Sequence, residues 1–330
     1  MHYHQENPRT REGGGTGWEH RPPPLAAREA FIAAYGQLRD MARATRGPDV
    51  LVAAVDSHGR GRGSARIKPG HSLIIGRHTE CGLRLPDEFI ALRHLVAHAR
   101  LEAPRAAPTI HLWDLHTGQP FLTEDGQPSV GVTSQGLLYA AVGQYALLLV
   151  PTRERTGLPW PSRAEKAWSM FPLRQFTEPH SHAARALRFR RLREDGQEFM
   201  TPVSREDRLL RLGEGGSSHH PWGLVRLVRG EQAVEFPMSR EQLEQGMLLG
   251  RYERCGIAVE TVRTLSRVHL MLIRLGEEVL AIDTASTNGT WRARRRIGTV
   301  MLDKLDALEL GKDLLMQWRR LPARGTNRDS

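Results

Sequence analysis

The sequence predicts an all-β fold: two β-sandwiches in tandem, with a short helix before the first and an irregular region between them. Three observations predict it. Short apolar runs (LVAAV, SLIIGR, TIHLWDL and ALLLV, then GLVRLV, AVEFPM, MLLGR, VHLMLIRL, EVLAID and LLMQWRRL) are separated by Gly, Pro, Asp and Asn, and several alternate so that one face of a strand is buried. A chain of 330 residues with 32 glycines and 20 prolines has room for two sandwiches of roughly 100 residues each and is too punctuated for long helices. Finally, GRHTECGL (76–83) and GRYERCGI (250–257) share Gly, Arg, Cys, Gly and an aliphatic residue in register, which is an internal repeat.

The elements follow in chain order. Residues 1–24 are polar and glycine-rich and end in Pro22-Pro23-Pro24, so they hold too little apolar surface to offset the entropy of ordering and are expected to be a disordered tail. Over 25–46, Phe31, Tyr35, Leu38 and Met41 or Ala42 recur at helical spacing before Gly47-Pro48 stops the pattern. Such an amphipathic helix packs on the neighbouring sandwich or docks a partner. The first sandwich is expected over 47–152 and the second over 222–322, with a short tail at 323–330.

Between the sandwiches, 153–221 shows no repeat and is read as a linker or irregular region. It holds Trp160, Trp168 and an arginine cluster at Arg185, Arg188, Arg190, Arg191 and Arg193. LRFRRLREDGQEFM (187–200) suits a hairpin turning at Asp195-Gly196, and GEGGSSHHP (213–221) suits a flexible joint. The arginine cluster reads either as a solvated face or as a surface for nucleic acid.

Composition excludes more than it assigns. The net charge of +10 points towards acidic partners, and only four of the 47 basic residues are lysine. Arginine is the better bidentate phosphate ligand, although GC-rich coding produces the same bias. No apolar stretch is long enough to span a bilayer and the start has no apolar leader, so a cytoplasmic protein without membrane insertion is expected. Cys81 and Cys255 form no CxxC pair, while His180, His182, His219 and His220 lack convergent partners, so neither metal nor cofactor is expected. GxxxxGK[ST], HExxH, GxSxG and a kinase catalytic loop are all missing, which argues against an enzyme.

The chemistry sits in the second repeat, as Gly250-Arg251, then Ser266-Arg267-Val268-His269, then Asp283 to Thr290 with Thr287-Asn288-Gly289 inside. Each lies where a strand ends or a loop begins, so the side chains can converge at one end of a sandwich. Arg251 offers a fixed fork of donors matched to phosphate oxygens, and Ser266 offers a compact hydroxyl. Asn288 donates and accepts at once, which suits an extended peptide main chain, and Gly289 permits a tight turn.

These residues resemble the forkhead-associated (FHA) family, whose signature runs GR, SxxH and NG followed by Thr on a β-sandwich. The resemblance implies that Arg251 and Ser266, with Arg267 and Thr287 beside them, contact a phosphothreonine, and that Asn288 holds the peptide backbone. Gly250, His269, Gly289 and Thr290 then support loop geometry. WRARRR (291–296) follows where the family usually has a polar residue. Its arginines at 292, 294, 295 and 296 either form a solvated loop or favour acidic residues near the phosphate.

The first repeat keeps Gly76-Arg77 and His94 but has Ala91 where Ser266 stands, and alignment places Gln119 for Asn288 and Pro120 for Gly289. It is therefore expected to be a degenerate FHA-like sandwich serving packing or dimerisation. The whole chain reads as an adaptor for kinase signalling that binds a threonine-phosphorylated protein, either a Ser/Thr kinase or its substrate. A phosphate-independent scaffold and a nucleic-acid-binding protein are the alternatives.

Overall fold

The computed structural model describes residues 26–56, 58–103, 106–152, 160–169, 174–177 and 221–322. The tails read at 1–24 and 323–330, the arginine cluster, the 187–200 hairpin, the four histidines of 180–220 and nearly all of the 213–221 joint lie outside the described residues.

Helix α1 (Ala27–Ala44) buries Ala30, Phe31, Ala34, Tyr35, Leu38 and Ala42 along one stripe, as the 3.6-residue period requires. That stripe packs on the outer face of the first sandwich, against Leu51, Val55, Tyr139, Leu148 and Val150. Trp160 closes the cluster, and the Tyr35 hydroxyl donates to Pro161 O at 2.5 Å. Packing on the neighbouring sandwich is thus what the helix does in the fold.

The strands of the first sandwich are β1 (Val50–Val55), β2 (Gly61–Ile67), β3 (Ser72–Gly76), β4 (Leu83–Arg84), β5 (Leu95–Arg100), β6 (Thr109–Asp114), β7 (Phe121–Leu122), β8 (Pro128–Ser129), β9 (Gly131–Ser134), β10 (Leu138–Val142) and β11 (Tyr145–Pro151). After them come helix α2 (Ala164–Trp168) and β12 (Arg174–Thr177). One sheet runs β2-β1-β11-β10-β7-β8 and the other β4-β3-β5-β6-β9-β12. Part of the inter-domain segment is therefore built into the first sandwich: β12 adds antiparallel to the edge strand β9, which would otherwise leave its backbone groups unpaired.

The second sandwich contains β13 (Gly223–Arg229), β14 (Gln232–Met238), α3 (Arg240–Glu244), β15 (Met247–Gly250), β16 (Ile257–Ala258), β17 (Leu270–Leu275), β18 (Glu278–Asp283), β19 (Thr290–Arg292), β20 (Arg295–Ile297), β21 (Thr299–Leu302), β22 (Leu305–Leu310) and β23 (Leu314–Arg320). A capping box starts α3: Ser239 accepts from the Gln242 N–H while the Gln242 side chain accepts from the Ser239 N–H. Its sheets run β14-β13-β23-β22-β19-β20 and β16-β15-β17-β18-β21. Strand for strand these are the orders of the first sandwich, less the added β12.

Several runs are apolar at every position because both faces of the strand are covered. Leu270 and Leu272 of β17 enter the second core, whereas Met271 and Ile273 face the other way. Those outward residues meet the equivalent face of the first sandwich. The cross-strand row Ile74–Val96–Trp113 of β3, β5 and β6 corresponds to Leu248–Met271–Ile282 of β15, β17 and β18, and both rows lie in one apolar cluster. Cys81 and Cys255, the repeated cysteines, belong to that seam as well. The two sandwiches pack sheet to sheet through corresponding faces, with Arg100 paired to Glu278 at 2.8 Å along the border.

Among the described residues, no helix is long and apolar enough to cross a membrane.

Candidate functional site

The end of β15 approaches the Ser266–Arg267 backbone so closely that only glycine fits. A Cβ on Gly250 would sit 2.3 Å from Arg267 O. The contact lets Arg251 N donate to Ser266 O at 3.1 Å and Tyr252 N donate to Arg267 O at 2.9 Å, locking the loop after β15 to the loop before β17. Arg251 is then fixed by its Nε, which donates to Leu265 O at 2.6 Å. Its two terminal nitrogens make no hydrogen bond among the described residues.

Ser266, 7% exposed, joins two loops: its Oγ accepts from Thr287 N at 3.0 Å and lies 3.5 Å from Thr287 Oγ1. The hydroxyl hydrogen is committed only to that longer contact. Asn288 donates through Nδ2 to Thr264 O at 2.8 Å and leaves its side-chain carbonyl oxygen unengaged among the described residues. Arg251, Thr287 and Asn288 are thus brought together around Ser266, each tied to residues 264–266 by a direct bond. Arg267 is different. It is exposed, and what it contributes to the fold is its carbonyl, which accepts from Tyr252 N and Cys255 Sγ.

The supporting residues work beneath this surface. His269 Nδ1 accepts from Ser266 N at 3.1 Å, so the proton resides on Nε2, which donates to Gly289 O at 3.2 Å. Burial holds this imidazole below its usual pKa, with Asp283 opposing the shift, which agrees with a neutral ring. Asp283 accepts from Ser286 N at 2.8 Å, Ser286 Oγ at 2.5 Å and Thr290 Oγ1 at 2.7 Å, pinning the loop from inside. Gly289 has φ +79°, a conformation side chains resist, and Trp291 Nε1 closes the turn on Asn288 O at 3.0 Å.

The arginine run after the turn is a tight hairpin between β19 and β20, with positive φ at both Ala293 and Arg294 as a two-residue type I′ connection requires. Arg292 is engaged by Asp303 and Asp306 at 2.7 and 2.8 Å. Arg296 reaches back to Ser286 O at 3.0 Å, while Arg294 and Arg295 are exposed. Sequence reasoning passed over Asp283, Thr264, Trp291 and the loop-holding role of Arg296. Asp283 carried a readable signal, an Asp three residues before a Ser that its side chain can cap.

In the first sandwich half of the wiring is the same. Arg77 Nε donates to Ile90 O at 3.2 Å, and His94 Nδ1 accepts from Ala91 N at 3.1 Å. Asp114 accepts from Thr117 N and Oγ1 at 2.8 and 2.5 Å. The loop then diverges. Positive φ falls at Gly118, and His94 meets Gln119 O at 2.9 Å, one residue earlier than its aligned counterpart Gly289, because Pro120 cannot take a left-handed turn. Phe121 replaces Thr290, so Asp114 lacks the second hydroxyl that Asp283 has, and burial pushes its carboxyl up to about 7.

Among the described residues no group of three or more His, Cys, Asp or Glu side chains is placed to hold a metal ion. Both cysteines are buried thiols, pushed up to about 11 and about 12 by burial, each donating at 3.3 Å to a loop carbonyl, Leu92 O and Arg267 O respectively.

No curated protein is similar enough to this chain to count as a relative. Among solved structures, the FHA-1 domain of Rv1747 from Mycobacterium tuberculosis is 19% identical with a TM-score of 0.25, covering 31% of this chain and 99% of its own. The FHA domain of CT664 from Chlamydia trachomatis is 21% identical with a TM-score of 0.27, covering 30% of this chain and 98% of its own. An engineered FHA domain with a Myc-pTBD peptide is 20% identical with a TM-score of 0.27, covering 31% and 94%. The family model described as "FHA domain" matches residues 247–311, a span that runs from β15 through the Asn288 turn to the end of β22. The second sandwich of this chain is an FHA domain.

Proposed function

We propose that the second sandwich reads threonine-phosphorylated segments of a partner protein, and that the chain is a non-catalytic adaptor in Ser/Thr kinase signalling. The observation that carries this reading is Arg251: its Nε is fixed on Leu265 O and its terminal nitrogens make no hydrogen bond among the described residues, while Thr287 and Asn288 are tied to the same 264–266 segment. A phosphate set there takes two parallel N–H bonds from the guanidinium. The Ser266 hydroxyl turns from its long contact with Thr287 to a phosphate oxygen. Asn288 offers its free carbonyl oxygen and remaining N–H to an extended peptide backbone, which fixes which residues flank the phosphothreonine. Threonine is preferred to serine where its methyl is buried, a difference of about 0.8 kcal/mol.

A small open site of this kind supports micromolar affinity, about 8 kcal/mol. The test is capture of the full chain by a degenerate peptide library built around a fixed phosphothreonine, against the same library unphosphorylated. Only the phosphorylated library is expected to bind. Arg251→Ala removes a charge-assisted pair contributing about 2 to 3 kcal/mol, so affinity falls roughly 30- to 150-fold. Capture unaffected by Arg251→Ala, or equal on both libraries, refutes the reading.

A further inference from the structure

The first sandwich contributes a charged side chain to the second where an apolar one stands in the repeat. Arg93 aligns with Val268, which packs in the seam between the sandwiches. Arg93 is 6% exposed, and among the described residues it forms no ion pair. Its fork closes instead on two consecutive carbonyls of the other sandwich: Nε donates to Thr284 O at 2.6 Å and to Ala285 O at 3.2 Å, and Nη2 donates to Ala285 O at 2.6 Å. Burial pulls the guanidinium pKa below its usual value, so these carbonyls are what a buried charge has to hold it.

The carbonyls belong to the loop that ends in Thr287, Asn288 and Gly289. Ala285 has φ +59°, a left-handed conformation that costs free energy for a residue with a Cβ. Thr284 is tied to Val268 O and Asp283 grips Ser286, both from within the second sandwich. Arg93 holds the two peptide units between those anchors. We propose that Arg93 of the first sandwich is a positioning residue for the phosphothreonine site of the second, so that the degenerate copy acts as a built-in brace for the loop that presents Thr287 and Asn288. This inference rests on the phosphothreonine reading given above.

The experiment uses the full chain and the fixed-phosphothreonine library, with affinity read well below the melting temperature of each variant. Arg93→Met keeps the apolar stem in the seam and removes the fork; affinity is expected to fall about tenfold. Arg93→Lys restores a single donor group and recovers most of it, leaving a loss of about threefold. Arg100→Ala breaks the ion pair with Glu278 at the border of the same seam and is expected to lower melting without changing affinity. Lower melting with unchanged affinity in Arg93→Met overturns the proposal, since the arginine then only cements the sandwiches. An equal affinity loss in Arg100→Ala also overturns it, because the seam as a whole is then responsible. If Arg93→Met does not fold, a folded Arg93→Lys with full affinity overturns it too. Arg251→Ala in parallel separates the two readings: capture indifferent to Arg251 sinks the site and the brace together, whereas capture that needs Arg251 but not Arg93 sinks the brace alone.

Discussion

The loops at the ends of the two sandwiches are built from the same parts up to a point, and the point at which they part separates the shared wiring from residues present in only one copy. Both copies fix an arginine by its Nε on the carbonyl just before the Ser or Ala position, through Arg77 and Ile90 or Arg251 and Leu265. Both use a histidine Nδ1 to accept the following backbone N–H, and both cap the next loop with an aspartate. The first copy keeps all of this while lacking the Ser266 hydroxyl, the Gly289 turn and the Thr290 hydroxyl, which become Ala91, Pro120 and Phe121. His94 and Asp114 hold loops onto sheets, and their counterparts His269 and Asp283 do the same in the second copy beside Ser266 and Asn288.

The largest effect that tests this division is loss of the histidine. His269→Ala strands the buried Ser266 N–H and Gly289 O and leaves a cavity, a destabilisation of about 3 kcal/mol. His94→Ala is expected to cost about as much, since its two bonds have nearly the same lengths. Denaturant midpoints of the full chain measure both. A silent His94→Ala beside a damaging His269→Ala would show that the first copy no longer depends on the shared wiring.

Next in size is Thr290→Val, which removes the hydroxyl bond to the Asp283 carboxylate with little change of shape and makes the second copy resemble the first. A hydrogen bond to a charged group is worth about 1.5 to 3 kcal/mol, so stability should drop by about 2 kcal/mol. Denaturant midpoints of the variant and the parent chain measure the change. An unchanged midpoint would mean that the Thr290 hydroxyl adds nothing to the hold on this loop.

The texture of the strands, the internal repeat and the order GR, SxxH, NGT were legible because each is a local pattern. What the seam does was not. LVAAV and ALLLV are apolar throughout because α1 covers one face and the core the other, and nothing local says what lies on the second face. Arg93 lies 191 residues from the carbonyls it holds, and a carbonyl acceptor has no residue signature. The same holds for Thr264 O, which anchors Asn288. β12 sits in a stretch read as irregular, since four residues with no repeat give too short a run to call. By contrast, the Ser239–Gln242 capping box was readable and simply went unread.

The seam also makes the copies differ in their response to acid. At the row where the second sandwich has Ile273 and Leu280, the first has His98 and His111, stacked at 6.2 Å and buried, each pushed down to about 4 by burial. Depressed histidines contribute stability that is present above pH 6.5 and lost as pH falls towards 4. Asp114, raised to about 7, has the opposite sign: its contribution is present below pH 3.8 and lost as pH rises to about 7. Two histidines outweigh one aspartate, so stability falls between pH 7 and pH 5, by on the order of 1 kcal/mol. His98→Ile combined with His111→Leu, the residues of the second copy, should reverse the slope so that stability rises on acidification. Denaturant midpoints at pH 7, 6 and 5 check this, and an unchanged slope in the double variant would place the acid response elsewhere.

The smallest effect is the most direct test of what the first copy has lost. In an Arg251→Ala background, where the second site is silenced, Ala91→Ser with Gln119→Asn and Pro120→Gly supplies the first loop with the hydroxyl, amide and glycine of the second. Arg77 is already held as Arg251 is, so one strong contact is in place. Recovery should still be partial. The turn in the first loop falls at Gly118 rather than at the position aligned with Gly289, Phe121 denies Asp114 the bond that Thr290 gives Asp283, and no counterpart of Arg93 grips the first loop, since the second sandwich has Val268 at that position. Two restored groups at about 1 kcal/mol each would bring a millimolar site to tens of micromolar, but a misplaced turn should leave less than half of that gain. Phosphothreonine-library capture by the grafted chain should therefore rise only about threefold to fivefold over Arg251→Ala alone. Full recovery would mean that three side chains suffice and that the brace across the seam is dispensable for recognition. Adding Val268→Arg, which gives the second sandwich the arginine that the first one has, is the substitution expected to raise that small gain.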